Sequence, residues 1–228
     1  MSDTLLDLQA MIPALEPAVE RRRLGDRLTV VTDALREAPA EVERLDALFD
    51  IAALTGFPAT ADLNDLRQDA ADAAEALMAA QSIDDLRKAK DAFDTLRKAL
   101  SRVGRQVTDH WKRTVVEREF RPLIAFGALL ERAENLADLG RQMQTCGREA
   151  IASAQIMRLT DLRPVVKRLR LEADRLQAEQ VASVGAIPGV GEFLSAVGDQ
   201  RATLALVTPA VLAWLEKNGA LENFKVSA

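Results

Sequence analysis

The chain has 228 residues, 48% of them apolar and 29% charged, so it can bury a core of one large or two small domains. Aromatics are 4%, Tyr is absent, and there is one Cys and one His. These counts weigh against a disulfide scaffold, a Cys/His zinc site, a Cys–His nucleophile pair and an aromatic RNA-binding sheet. The net charge of −5 gives no whole-chain attraction to nucleic acid or an anionic membrane. The longest apolar stretch, Leu123–Leu130, is far short of the ~20 residues a membrane helix needs. The opening residues MSDTLLDLQAMIP carry acids where a signal peptide carries bases, and the lone Cys146 fits a reducing compartment; the expectation is a cytoplasmic protein.

Leu5, Leu8, Ile12 and Leu15 have near-helical spacing, interrupted by Pro13 and Pro17, and a second short helix is expected over 26–37. Pro39 opens a third, running to about Leu54 with Val42, Leu45, Leu48, Phe49 and Ala52 on one stripe. Thr55–Pro58 breaks the chain. Next come Leu63, Leu66, Ala70, Ala73, Leu77 and Ala80, spaced alternately three and four apart as in a heptad seam. Ser82 caps the following helix, with Asp84 and Asp85 at its positive end. There the seam continues through Leu86, Ala89, Phe93, Leu96, Leu100, Val103 and Val107. It turns polar at His110 and Thr114, while Trp111 and Val115 take over on a shifted stripe.

The helical pattern from Ser82 to Arg121 spans about 39 residues, or ~58 Å, more than the ~45 Å diameter of a compact chain this long. An elongated molecule with a coiled-coil-like antiparallel hairpin over 59–121 is therefore expected. Pro122 marks the next boundary, followed by a helix ending near Gly140 and another over 141–158. A third, from about Thr160, carries Leu162, Val166, Leu169, Ala173 and Leu176. Gly185 and the segment 187–191 end it. A short helix from Glu192 follows, then one capped by Thr208 and ended by Gly219. Asn223–Val226 alternates in a way that allows one short strand. The fold class is all-α. The expected segments are 1–58, 59–121, 122–184 and 185–228.

The charge is unevenly placed. Residues 33–75 hold eleven acids and three bases, whereas 97–121 hold eight bases and three acids, and 141–175 eight bases and four acids. Acidic and basic helices lying side by side would account for this. The alternative is a basic surface for a polyanion, on Arg97, Lys98, Arg102, Arg105, Lys112, Arg113, Arg163, Lys167 and Arg170. Ile187-Pro188-Gly189-Val190-Gly191 resembles the hairpin of the helix-hairpin-helix DNA-binding family. That resemblance implies that the backbone amides of Gly189, Val190 and Gly191 hold a phosphate ahead of a helix. Two features depart from that setting: Glu192 follows at once, and no Lys or Arg occurs between Gln177 and Gln200.

No phosphate loop, dinucleotide fingerprint or nucleophile elbow is present. His110 has neither a second His nor a carboxylate one turn away, and Cys146 lies on an apolar face as an inert thiol. No catalytic, cofactor or metal site is expected. The leading expectation is a non-enzymatic helical scaffold or accessory subunit. Its partner would be a protein, a second copy or a larger subunit, rather than a membrane. It would use the seams at Leu86, Phe93, Leu96, Leu100, Val103, Val107, Leu162, Val166 and Leu169, with Trp214 and Phe224 as a C-terminal docking element. The rival is a DNA-associated helical subunit of a genome-maintenance or phage-defence complex.

Overall fold

The computed structural model describes residues 36–58 and 61–224, together with Gly25 and Thr29. The helices expected at the N-terminus therefore lie almost wholly outside the described residues. Those described are all-α, without a strand. In chain order the helices are α1 (Ala38–Leu54), α2 (Ala61–Met78), α3 (Ile83–His110), α4 (Arg121–Leu130), α5 (Ala137–Ser153), α6 (Leu159–Gln180), α7 (Val190–Gly198) and α8 (Pro209–Lys217). Two π-helical segments, Trp111–Phe120 and Val181–Gly185, follow α3 and α6 without a break.

Local chemistry sets several of these ends. Gly56 takes φ of +62°, and the Phe57 amide reaches back to the Ala52 carbonyl at 2.9 Å, closing α1. Ser82 caps α3 as expected: its Oγ accepts from the Asp85 amide at 3.2 Å and donates to the Asp85 carboxylate at 2.7 Å. Those contacts hold the Asp85 carboxyl below its ordinary value. The Thr208 hydroxyl accepts from the Val211 amide at 3.3 Å, and Gly219 closes α8 with φ of +61°.

The described residues form two compact units, 36–45 with 61–103 and 46–58 with 104–224. The boundaries of these units fall inside α1 and α3. A helix can change packing partners along its length without a turn.

In the first unit Leu63, Leu66 and Ala73 of α2 and Ala89, Leu96, Ala99, Leu100 and Val103 of α3 are buried, so both heptad stripes face inward. Leu86 and Phe93 are half-buried. Acidic and basic segments meet here: Arg97 donates to Glu37 at 2.6 Å and Glu41 at 3.1 Å, and Arg102 pairs with Asp62 at 3.2 Å. Glu41 is only 8% exposed and also takes Arg44 at 2.7 Å, so it is a buried carboxylate with two cations on it.

The second unit is built around the π-helical segment. From Val107 at the end of α3, the buried residues Trp111, Val115 and Phe120 follow at steps of four, four and five, with Val116 buried beside Val115. An α-helix would rotate such a series off one face, whereas the wider i→i+5 turn keeps it aligned. The Arg121 amide accordingly bonds the Val116 carbonyl. The sequence pattern predicts α-helix up to Arg121 and a boundary at Pro122. Instead the backbone stays helical through Pro122, which sits in the first turn of α4. Trp111 donates its indole N–H to Ser153 Oγ at 2.9 Å and meets Phe120 edge-on at 5.4 Å.

Helix α5 also departs from expectation, running through Gly140 and Gly147 instead of ending near the first. These glycines are contact points. A Cβ on Gly140 would lie 2.5 Å from the Gly127 carbonyl oxygen of α4, and one on Gly147 would lie 2.8 Å from the Phe120 carbonyl. Backbone packs directly on backbone there.

Candidate functional site

The structure places most of the expected interface residues inside the chain's own core. Leu100, Val103, Val107, Val166 and Leu169 are 0% exposed, and Leu96 and Leu162 no more than 5%. Their partner surfaces lie in the same chain, which corrects their assignment as an external docking seam. Trp214 is buried, with its indole N–H on the Ser183 carbonyl at 3.1 Å. Phe224 packs edge-on to Phe193 at 5.9 Å, beneath Arg132. Asn223 donates to the Arg132 carbonyl at 2.8 Å. The C-terminal element is therefore docked on its own unit, and Phe224 is not in a strand; Lys225 and Val226 lie outside the described residues.

Four of the cations proposed for nucleic acid are engaged with carboxylates. Arg97 and Arg102 take Glu37, Glu41 and Asp62, Arg163 pairs with Asp50, and Arg170 pairs with Glu119 while stacking over Phe120 at 5.8 Å. Arg170 thereby serves the packing of the π-helical segment. Lys98, Arg105, Arg113 and Lys167 are exposed, with no carboxylate partner among the described residues; Lys112 is half-buried beside Met157.

At the helix-hairpin-helix-like turn, Gly189 does take the left-handed conformation, φ +81°, ahead of α7. The Val190 amide is already used by the Ile187 carbonyl at 3.3 Å, and Val190 is buried. One of the three amides is thus withdrawn from a phosphate, and Glu192 in the first turn of α7 opposes an anion. Gly191 is exposed. His110 places Nε2 3.1 Å from the Thr55 carbonyl and its ring edge-on to Phe57 at 5.3 Å, a packing role. Among the described residues no group of three His, Cys, Asp or Glu side chains is placed to hold a metal. None of their helices is long and apolar enough by itself to cross a membrane.

The surface feature that sequence reasoning missed is a groove of about 800 Å³ between α5 and α6. Cys146 and Leu169 lie along its base, with Pro164 and Leu171 on the α6 side. Leu171 is 65% exposed on the groove wall. Arg168 crosses to Glu149 of α5 at 2.7 Å. Arg175 reaches Gln142 of α5 and is clamped on its own helix by Glu172 at 2.7 Å and Glu179 at 3.0 Å. The Arg175 guanidinium holds the Glu172 carboxyl below its ordinary value.

The Cys146 thiol is pushed up to about 11, by burial first and then by the Glu172 and Glu149 carboxylates. It is protonated at neutral pH and a poor nucleophile. The groove thus offers an apolar base and fixed charges rather than a reactive group. Only Leu171 hinted at it in the sequence. It is an apolar residue two positions past the heptad position Leu169, where a solvated face is expected.

No protein-family model matches this chain, and comparison with curated proteins and with solved structures returns no significant match.

Proposed function

We propose that this chain is a non-enzymatic helical accessory protein that acts by binding another protein, and that the α5/α6 groove is its docking surface. The observation carrying this reading is the groove itself: about 800 Å³ in volume, apolar at its base, with Leu171 65% exposed on its wall. Helix pairs with an open apolar groove commonly receive an amphipathic helix. The buried seams act in this reading as the rigid frame that holds α5 and α6 apart.

The test is a photo-crosslinking amino acid at Thr145, an exposed residue of the groove, in the native host. A covalent adduct with one protein species, lost when Leu171→Glu is added, supports the reading. Absence of an adduct, or an adduct indifferent to Leu171→Glu, refutes it.

A DNA-associated role rests on Arg105 and Arg113 of the second unit, both exposed and without carboxylate partners among the described residues. Its test is a mobility shift with random duplex DNA at two salt concentrations. Phosphate contacts would weaken steeply with salt, and no shift at low salt removes this role.

A further inference from the structure

We infer that the protein docked at the α5/α6 groove is a second copy of this chain, lying antiparallel along α6 about a two-fold axis beside Leu171. This rests on the groove being a docking surface and identifies what docks there. The observation is a second stripe on α6. Pro164, Lys167, Leu171, Asp174, Ala178 and, just past the helix, Val181 are all exposed and follow at alternating steps of three and four. That is heptad spacing, so they share one side of the helix. The buried stripe of Leu162, Val166, Leu169 and Leu176 lies on the other. Pro164, Lys167 and Leu171 also line the groove.

Charge selects the occupant. The groove's arginines are neutralised within the chain: Arg141 by Asp138, Arg168 by Glu149, and Arg175 by Glu172 and Glu179. Arg163 and Arg170 of α6 take Asp50 and Glu119. Of the charged side chains of α6, Asp161, Lys167 and Asp174 then have no opposite charge paired to them among the described residues. Asp161 sits in the first turn, where the positive end of the helix receives it. Lys167 and Asp174 remain, opposite in sign and both on the exposed stripe.

A two-fold contact brings residue i of one copy to residue j of the other, and j to i. The midpoint of Lys167 and Asp174 falls between residues 170 and 171, ~0.75 Å along the helix from Leu171. An axis there sets each Lys167 opposite Asp174 of the other copy. It also places the two Leu171 side chains against each other at the centre and brings Pro164 beside Ala178 at both ends. The layers then read apolar, ionic, apolar, ionic, apolar. A parallel pairing would oppose Lys167 to Lys167 and Asp174 to Asp174, so the charges choose the antiparallel sense.

Analytical ultracentrifugation of the full chain over a concentration series should show a reversible monomer–dimer equilibrium. Leu171→Glu, Lys167→Glu and Asp174→Lys should each weaken it roughly ten-fold, the last two because each creates two like-charge contacts. An equimolar mixture of Lys167→Glu and Asp174→Lys chains should recover the dimer, since one copy then presents two acids to two bases of the other. The double variant, Lys167→Glu with Asp174→Lys, should recover it by itself. All three positions are exposed, and circular dichroism checks that the variants are folded.

A monomer at every concentration overturns the inference. So does a dimer that the single variants leave unchanged, or one that mixing them fails to restore. The Thr145 crosslink should join two copies of the chain. An adduct with a different protein, formed by a monomeric chain, leaves the docking reading standing and removes the second copy. No adduct of any kind removes the docking reading and this inference with it.

Discussion

Replacing Gly140 by alanine tests the backbone-to-backbone packing of α4 on α5. In an open helix interior the exchange would stabilise by ~1 kcal/mol, because alanine is the better helix former. Here the new Cβ would lie 2.5 Å from the Gly127 oxygen, 2.7 Å from the Glu131 nitrogen and 3.1 Å from the Glu131 Cα. All three are backbone atoms, which cannot rotate away. The helices must separate by nearly 1 Å, and a gap of that size forfeits a quarter to a half of each dispersion contact beside it.

Overpacking of this kind costs ~1–3 kcal/mol or more, and rigid backbone places it at the upper end. After the propensity gain, the net loss is about 2–3 kcal/mol, or about 4–12 °C in melting temperature. Both tryptophans, Trp111 and Trp214, lie in the same unit as Gly140, so urea unfolding followed by indole emission reads that unit directly. Gly104→Ala is the control. Its Cβ would meet the mobile end of Leu159 at 3.1 Å, and stability should stay within about 1 kcal/mol of wild type. Gly127→Ala combined with Gly140→Ala should cost less than the two singly, since one separation relieves both clashes. A Gly140→Ala chain as stable as wild type would refute the close-packing argument.

Three further outcomes are expected. Leu96→Asp with Leu100→Asp should unfold the first unit rather than dissociate an assembly, because both leucines are buried within the chain; retained helicity by circular dichroism with a changed mass would contradict this. Cys146 should resist alkylation by iodoacetamide at neutral pH and react faster as pH approaches about 11 or when urea is added, and rapid native labelling at pH 7 would disprove its burial. The carboxyls of Asp94, bonded by Lys90, and Glu172, bonded by Arg175, are held below 3.8 and 4.5. Their stabilisation is therefore complete above those values and lost as pH falls through the lower folded ones. The urea midpoint should drop below about pH 4.5, and Glu172→Gln should flatten that drop; an unchanged profile would remove the pairing from the account.

Much of the architecture was legible in local residues. The Ser82 and Thr208 caps, the breaks at Thr55–Pro58 and Gly219, and the inward stripe of α2 follow from chemistry within a turn or two of each residue. The shift of the apolar stripe from Val107 to Trp111 and Val115 was visible as well. Its meaning as a π-helical segment was not, because a step of four suits an α-helix for one turn and betrays a wider helix only when carried to Phe120. Gly140 and Gly147 were ambiguous for a related reason. Glycine ends a helix when nothing approaches it and joins two helices when another backbone does, and only the partner helix decides between these.

The same division holds for function. Composition determined that the chain is helical, poor in His and Cys, and patched with opposite charges. A heptad seam specifies that a helix must be covered, not which chain covers it. The tertiary structure covered Leu96, Leu100, Val166 and Leu169 from within, paired Arg97, Arg102, Arg163 and Arg170 with acids far away in sequence, and left Leu171 bare in a groove. Those outcomes depend on residues brought together across tens of positions, where burial and Coulomb energy act on distance in space and not on spacing along the chain.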